Sequence, residues 1–221
     1  MQYSLSTQAK IAAEKLWVAA EASRLYVSGH QRFARSLVGT RPATADQIEA
    51  MRSNRLVDQT LLSDGSLGPA GIFDEGRTIA YAANTSKKYA AACRLYSLVK
   101  EYQPKTILEL GTNIGFSSSY LASAGGKVTT LESSPYRIRL AKELHKKLSL
   151  DIEYVQGLFD DTLEPTLERL AQVDLAFIDG NHHYQPTLDY FEKILPFTSN
   201  GSLIVFDDVR WSQGMQKLGS C

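Results

Sequence analysis

Cysteine is nearly absent from this chain of 221 residues: Cys93 and Cys221 are the only two, and they make no disulfide framework. Cys93 falls in a helical pattern, where a buried free thiol is the expected state. An excess of either charge is lacking too. With 24 Lys and Arg against 24 Asp and Glu, there is no broad electrostatic case for nucleic acid. Long apolar runs are missing from the amino terminus, where Glu14, Lys15 and Glu21 break the Ile11 to Ala20 segment and no cleavage site follows. These absences exclude a disulfide-stapled module and predict no nucleic-acid or membrane partner, a small-molecule partner instead, and a reducing, cytoplasmic location. Internal repeats and low-complexity stretches do not occur. What is present, 43% hydrophobic residues over this length, suffices for one doubly wound domain with an appendage.

The amino-terminal third carries no chemical motif. Residues 6–38 read as one or two helices, with Leu16, Ala19, Ala20 and Leu25 near helical spacing. After Pro42, a capped helix is expected from about Thr44 to Leu61, then a loop over Ser63–Gly71. From Ser86 a helix with Tyr89, Ala92, Leu95, Tyr96 and Val99 on one side leads to Pro104. The division expected is a helical extension or lid over residues 1–80 and a core over 81–221.

Chemistry concentrates in Thr106–Ser119, a buried-strand pattern that breaks into a glycine turn and then a helix. In open α/β sheets ligands sit beyond the carboxyl ends of the strands, and glycine lets the backbone approach them. A pyrophosphate-binding turn keeps three glycines in G-x-G-x-x-G. Only Gly111 and Gly115 stand here, and the Glu109 carboxylate would repel a pyrophosphate while suiting a ligand with an ammonium and a sulfonium. Coulomb sign therefore favours S-adenosylmethionine over NAD.

Further strands are expected over Lys127–Glu132, Asp151–Gly157, Val173–Asp179 and Gly201–Asp208. Each apolar run ends with an acid or is soon followed by one. Glu132 is placed to meet a ribose diol in either cofactor, and Phe159 with Asp160 offers an apolar face and an acceptor to an adenine. Helices alternate with these strands, as parallel topology requires. Ser134-Pro135 is a helix start, and His145 reads as a solvated residue in the last turn of that helix.

The run Glu109-Leu-Gly-Thr-Asn-Ile-Gly-Phe-Ser117, Glu132, Asp179-Gly-Asn-His-His-Tyr184 and Asp207-Asp208 resembles class I S-adenosylmethionine-dependent methyltransferases, in the catechol-type O-methyltransferase branch. The resemblance covers about residues 80–211. It implies a Rossmann-like, doubly wound parallel sheet with helices on both faces and a helical amino-terminal extension. It implies that Glu109, Gly111 and Ser117 hold the methionine end of the cofactor, Glu132 its ribose, and Phe159 with Asp160 its adenine, with Asn113 and Gly115 also at the cofactor. Asp179 is expected near both the methionine amino group and the catalytic centre. A hydroxyl such as that of Ser117, in the first helical turn, also suits a carboxylate near the positive helix end. The helical extension resembles the lids and dimer contacts of small-molecule O-methyltransferases, so a homodimer is open to this chain, as is an inert structural layer.

Methyl transfer asks for a positioned nucleophile and a base or a metal. Asp179, Asp207 and Asp208 could bind Mg²⁺ or another divalent cation, which would lower the pKa of an acceptor hydroxyl. The catechol-type pattern has Asp-Asn where this chain has Asp207-Asp208. His182 stands where that pattern carries a lysine base, and with Asp179 it is the expected catalytic pair, its pKa suiting the task. His183 is read as an ordinary loop residue, and a zinc site is disfavoured because no cysteine is near. The family's sheet continues with a helix and an antiparallel strand pair. Only Val209–Cys221 follows Asp208, so that pair is expected to be missing and one sheet edge left open or covered by another subunit. O-methylation of a small-molecule hydroxyl is thus the expected activity. A non-catalytic cofactor-binding or assembly protein and a nicotinamide-dependent oxidoreductase are the alternatives.

Overall fold

The computed structural model describes residues 31–62, 76–208 and Met215. The expected helical positions Leu16 to Leu25, the loop beginning at Ser63 and the segment around Trp211 lie outside the described residues.

Five parallel strands form one sheet in the order β3-β2-β1-β4-β5: β1 (Thr106–Leu110), β2 (Lys127–Glu132), β3 (Ile152–Gln156), β4 (Leu175–Ile178) and β5 (Leu203–Phe206). All five fall within the expected runs. Their two-residue period sorts side chains onto two faces. Ile107, Val128, Leu175 and Phe177 point into one cluster, and Leu108, Leu110, Leu131, Ala176 and Ile178 into the other. With both faces covered, β1 and β4 are buried almost throughout.

The covering helices are α4 (Tyr89–Tyr102), α5 (Phe116–Ser123), α6 (Pro135–Lys147), α7 (Phe159–Leu170) and α8 (Tyr184–Ile194). Leu163 and Leu167 of α7 and Tyr190 and Ile194 of α8 pack on the Leu108 face, while Leu95 and Val99 of α4 pack on the Ile107 face. This is the doubly wound α/β arrangement. Ahead of it lie α1 (Gln31–Val38), α2 (Ala45–Arg55) and α3 (Ile79–Thr85).

Local chemistry sets the helix ends. At α6 the Ser134 hydroxyl accepts from the Arg137 amide at 3.1 Å and Pro135 opens the first turn, as the sequence predicts. The helix expected to reach Leu61 stops at Arg55 instead, because the Asp58 carboxylate takes the Thr60 amide at 2.9 Å and turns the chain toward an antiparallel bridge between Leu61 and Thr78. Helix α3, capped by Thr78 and not anticipated, runs across the residue 80 boundary. Ser86 and Lys88 then adopt extended backbone, and the helix expected from Ser86 begins at Tyr89.

The register aligns the carboxyl ends. Leu110 is level with Leu131 and Ile178, Glu132 with Gln156, and Ile178 with Phe206. The connections after β1, β2, β3, β4 and β5 therefore open onto one edge, with the order reversing between β1 and β4, where such folds bind ligands.

Candidate active site

Behind the turn after β1, Glu109 is fully buried and accepts hydrogen bonds at Oε2 from the hydroxyls of Ser118 and, at 2.7 Å, Thr130. Burial pushes its pKa up, partly offset by these hydroxyls and that of Ser117. Its Oε1 has no hydrogen-bond partner among the described residues. At Gly111, φ is +102°, and a Cβ would overlap the carbonyl oxygen of Asp179, so glycine here lets the β1 turn touch the β4 turn. Asn113, at φ +50°, uses its whole side chain: Nδ2 donates to Ala82 O and Ser86 Oγ at 3.2 Å, and Oδ1 accepts from Arg137 at 3.1 Å. The turn is thereby tied to α3.

Gly115 serves a different purpose. It is left-handed at φ +89°, and a Cβ would come within 2.9 Å of Ala141 and of the His145 ring. The expectation of a solvated His145 is corrected: the residue is 2% exposed, facing the Gly115 turn from α6 rather than water. Its Nε2 donates to Gly115 O at 2.8 Å, and its Nδ1 accepts from the Tyr154 hydroxyl. Burial holds its pKa down at about 4, so the ring is neutral.

Glu132, at the end of β2, accepts the Asn113 amide at 2.8 Å on Oε2 and the Ser134 amide at 3.1 Å on Oε1. Burial raises its pKa while Arg137 and these amides pull it back. A cavity of about 530 Å³ opens in front of it. Gly111, Asn113, Ser117, Glu132, Phe159, Asp160, Asp179, His182 and Asp208 all line that cavity. Glu109, Gly115 and Asp207 do not, and the first two support the lining from behind. Phe159 begins α7, its ring edge-on to Tyr190 at 5.5 Å and so close to Gly180 that a side chain there would overlap it.

The far wall is the end of β4 and β5. Burial raises the Asp179 pKa to about 7, against the pull of Lys87, with Asp208 and Glu109 adding to the rise. Asn181 and His182 are both left-handed, at φ +69° and +50°, which turns the His182 ring back toward Asp208, with Nδ1 3.8 Å from Oδ2. Burial lowers the His182 pKa and Asp208 opposes that. His183 is exposed and precedes α8 in extended backbone, its side chain making no cap bond. Donor atoms of Asp179, His182 and Asp208 lie within 4.8 Å of one another, a group that could hold a metal ion. Asp207 is not in that group: its carboxylate pairs with the ammonium of Lys87, which also stands 3.7 Å from Asp179.

A family model described as "Methyltransferase domain" matches residues 108–209. Catechol O-methyltransferase of Mycobacterium tuberculosis is 30% identical over 159 residues, 69% of this chain and 69% of the relative. That of Niastella koreensis is 31% identical over 158 residues, 69% of this chain and 66% of the relative. The chain belongs to the class I S-adenosylmethionine-dependent methyltransferases, in the catechol O-methyltransferase-like branch. Methyltransferases of this fold include the S-adenosylhomocysteine-bound enzyme of Podospora anserina, with a TM-score of 0.62 at 18% identity over 95% of this chain and 72% of that one. The Bacillus cereus O-methyltransferase in complex with S-adenosylhomocysteine has a TM-score of 0.56 at 22% identity, over 82% of this chain and 79% of that one. The chain spans 43% to 69% of the length of the curated relatives named above and of a bacterial protein-L-isoaspartate O-methyltransferase. None of its described helices is long and apolar enough to cross a membrane.

Sequence reasoning missed the cavity's basic side chains. Arg77, Lys87, Lys88 and Arg137 line it along with Tyr81 and Asn84 of α3. Arg137 had a readable signal, since it lies three residues past the Ser134 cap of the helix following Glu132. Lys87 had none, because its partners are 92 and 120 residues away in sequence.

Proposed function

We propose that this chain transfers the methyl group of S-adenosylmethionine to a hydroxyl of a small molecule. The observation that carries the reading is Glu132: a carboxylate at the end of β2, braced by two backbone amides, with lone pairs left for a ligand diol in a 530 Å³ cavity. The residues fit the cofactor in one further respect. Four acids, Glu132, Asp160, Asp179 and Asp208, line the cavity beside four bases, Arg77, Lys87, Lys88 and Arg137, which suits a ligand that carries an ammonium and a sulfonium together with a carboxylate.

When bound, S-adenosylmethionine supplies a methyl group on a sulfonium, whose transfer to oxygen leaves a neutral thioether and frees the acceptor's proton. Glu132 would take the ribose hydroxyls, and Ser117 with the amides of the first α5 turn would receive the carboxylate. Phe159 and Asp160 would border the adenine. His182, held neutral by burial, would accept the hydroxyl proton, with Asp208 at 3.8 Å stabilising the resulting cation. Asp179 would orient the acceptor against the methyl group. The Mg²⁺ site expected of Asp179, Asp207 and Asp208 does not fit, because Lys87 holds the Asp207 carboxylate and faces that of Asp179.

Calorimetric titration with S-adenosylhomocysteine tests the reading, with Glu132→Ala and NAD as controls. Binding weakened about tenfold or more in Glu132→Ala is expected, since a hydrogen bond to a charged acceptor contributes about 1.5–3 kcal/mol. A folded wild-type chain that binds no S-adenosylhomocysteine would sink it. A chain that binds the cofactor product yet methylates nothing across a panel of catechols and phenols would favour the non-catalytic alternative.

A further inference from the structure

Three aspartates converge where β4 and β5 end, and such a cluster needs a compensating cation. The chain provides one. Lys87 lies in the extended link between α3 and α4, which is fixed from both sides: Ser86 Oγ donates to Ala82 O at 2.7 Å and Lys88 Nζ approaches Asn84 Oδ1 at 3.3 Å. From there the Lys87 side chain, 13% exposed, reaches the sheet edge. Its ammonium pairs with Asp207, stands 3.7 Å from Asp179 and lies 5.8 Å from the centre of the buried Phe177 ring. A carboxylate pair on one side and an aromatic face on the other make a seat for a monovalent cation.

We propose that Lys87 is the resident cation of this site, its ammonium filling the acidic edge in place of a divalent ion, so that the chain binds no divalent cation there and its turnover is independent of one. Mg²⁺ requires near-octahedral oxygen ligands. Here one expected ligand, Asp207, is consumed by Lys87. A second, Asp179, is shared with the same ammonium. The third, Asp208, keeps its carboxylate, but the group it forms with Asp179 and His182 offers an imidazole nitrogen where Mg²⁺ prefers oxygen, with the Lys87 ammonium 3.7 Å from Asp179. A divalent ion seated on Asp179 would also face a fixed positive charge across a single carboxylate. Lys87 differs from a metal in what it leaves possible: it neutralises and positions Asp179 and Asp207 without offering a coordination site for the acceptor. Acceptors that need chelation through two vicinal oxygens therefore gain nothing here over acceptors with one hydroxyl. The statements on turnover and acceptor rest on the methyl-transfer reading, whereas the statement on metal binding does not.

Mn²⁺ titration of the full chain, read by the paramagnetic resonance of free Mn²⁺ and by calorimetry, tests the assignment. Wild type is expected to show no specific binding up to about 1 mM, the weak end of protein divalent-cation sites. Lys87→Met is expected to gain a Mn²⁺ site at least about tenfold tighter, lost again on adding Asp207→Asn. Wild-type binding at tens of micromolar, unchanged in Lys87→Met, overturns the proposal. Should Lys87→Met fail to fold, the wild-type titration decides alone: silence supports the assignment and tight binding overturns it. S-adenosylhomocysteine is titrated in the same preparation. Loss of that binding with continued Mn²⁺ silence counts against the methyl-transfer reading and leaves the cation assignment standing. Once an acceptor is identified, EDTA should leave the rate unchanged, and inhibition relieved by Mg²⁺ would overturn the assignment.

Discussion

His145 shows how one buried side chain ties catalytic geometry to pH. Its Nε2–H is committed to Gly115 O and its Nδ1 to the Tyr154 hydroxyl, so protonation places a charge in a buried site and must reverse the direction of the bond with Tyr154. The folded pKa of about 4 lies below the ordinary imidazole value of about 6.5, so the unfolded chain binds the proton first. Stability from this group is complete above pH 6.5 and is lost as pH falls toward 4, on the order of 3 kcal/mol in all. Urea unfolding between pH 7.5 and about 4.5 should therefore show a shallower pH slope in His145→Gln than in wild type, and parallel slopes would refute this account. Gly115→Ala should cost about 1–3 kcal/mol, because φ is +89° and the new methyl meets Ala141 and His145; a thermal melt unchanged from wild type would contradict the packing described. These two residues also mark what sequence could and could not reveal. Gly115 was visible as a required glycine, yet its reason, a helix packed against its back, depends on a contact 30 residues on. The spacing that put His145 in a last helical turn was right, but whether that turn faces water is decided by which side of α6 meets the sheet.

The strands were the most legible elements, since a parallel sheet buried on both faces writes itself as uninterrupted apolar runs ending in turn residues. The start of α6, set by the Ser134 cap and Pro135, was legible as well, whereas Thr44, expected to cap α2, makes no side-chain cap bond and the Thr78 cap of α3 went unread. Ser134→Ala should remove one cap bond and destabilise the protein by about 1 kcal/mol, without moving S-adenosylhomocysteine affinity more than twofold, since the Ser134 contact with Glu132 uses its backbone amide. A large loss of affinity in this variant would mean that the cap, and not the amide, positions Glu132. The early termination of α2 and the separate α3 were not foreseen. Both depend on the pairing of Leu61 with Thr78, a bridge between segments that show no strand pattern on their own. Of the candidate site, the carboxylates were legible because strand ends expose them in order. The cavity's contribution from α3 was not, because Tyr81 and Asn84 belong to no motif and arrive by packing.

Across the whole molecule, the cavity is walled by the sheet edge on one side and by α3 and the Ser86–Lys88 link on the other. A ligand that fills it should stabilise both walls at once. Hydrogen exchange with saturating S-adenosylhomocysteine is expected to slow amides in residues 79–88 together with those in 111–117, and protection confined to the sheet side would show that α3 takes no part in binding. The sheet itself transmits a tighter constraint. The backbone of Gly111, in the turn expected to carry the cofactor, rests against the carbonyl of Asp179, in the turn expected to meet the acceptor. Two surfaces that chemistry would treat as separate are thus a single mechanical joint. Substitutions that reshape one turn should be epistatic with those in the other by more than about 0.5 kcal/mol in a double-mutant cycle. A lineage exploring new acceptors on this scaffold would then retune its grip on the methyl donor with every step, and its accessible paths would be narrower than the number of variable loop positions suggests.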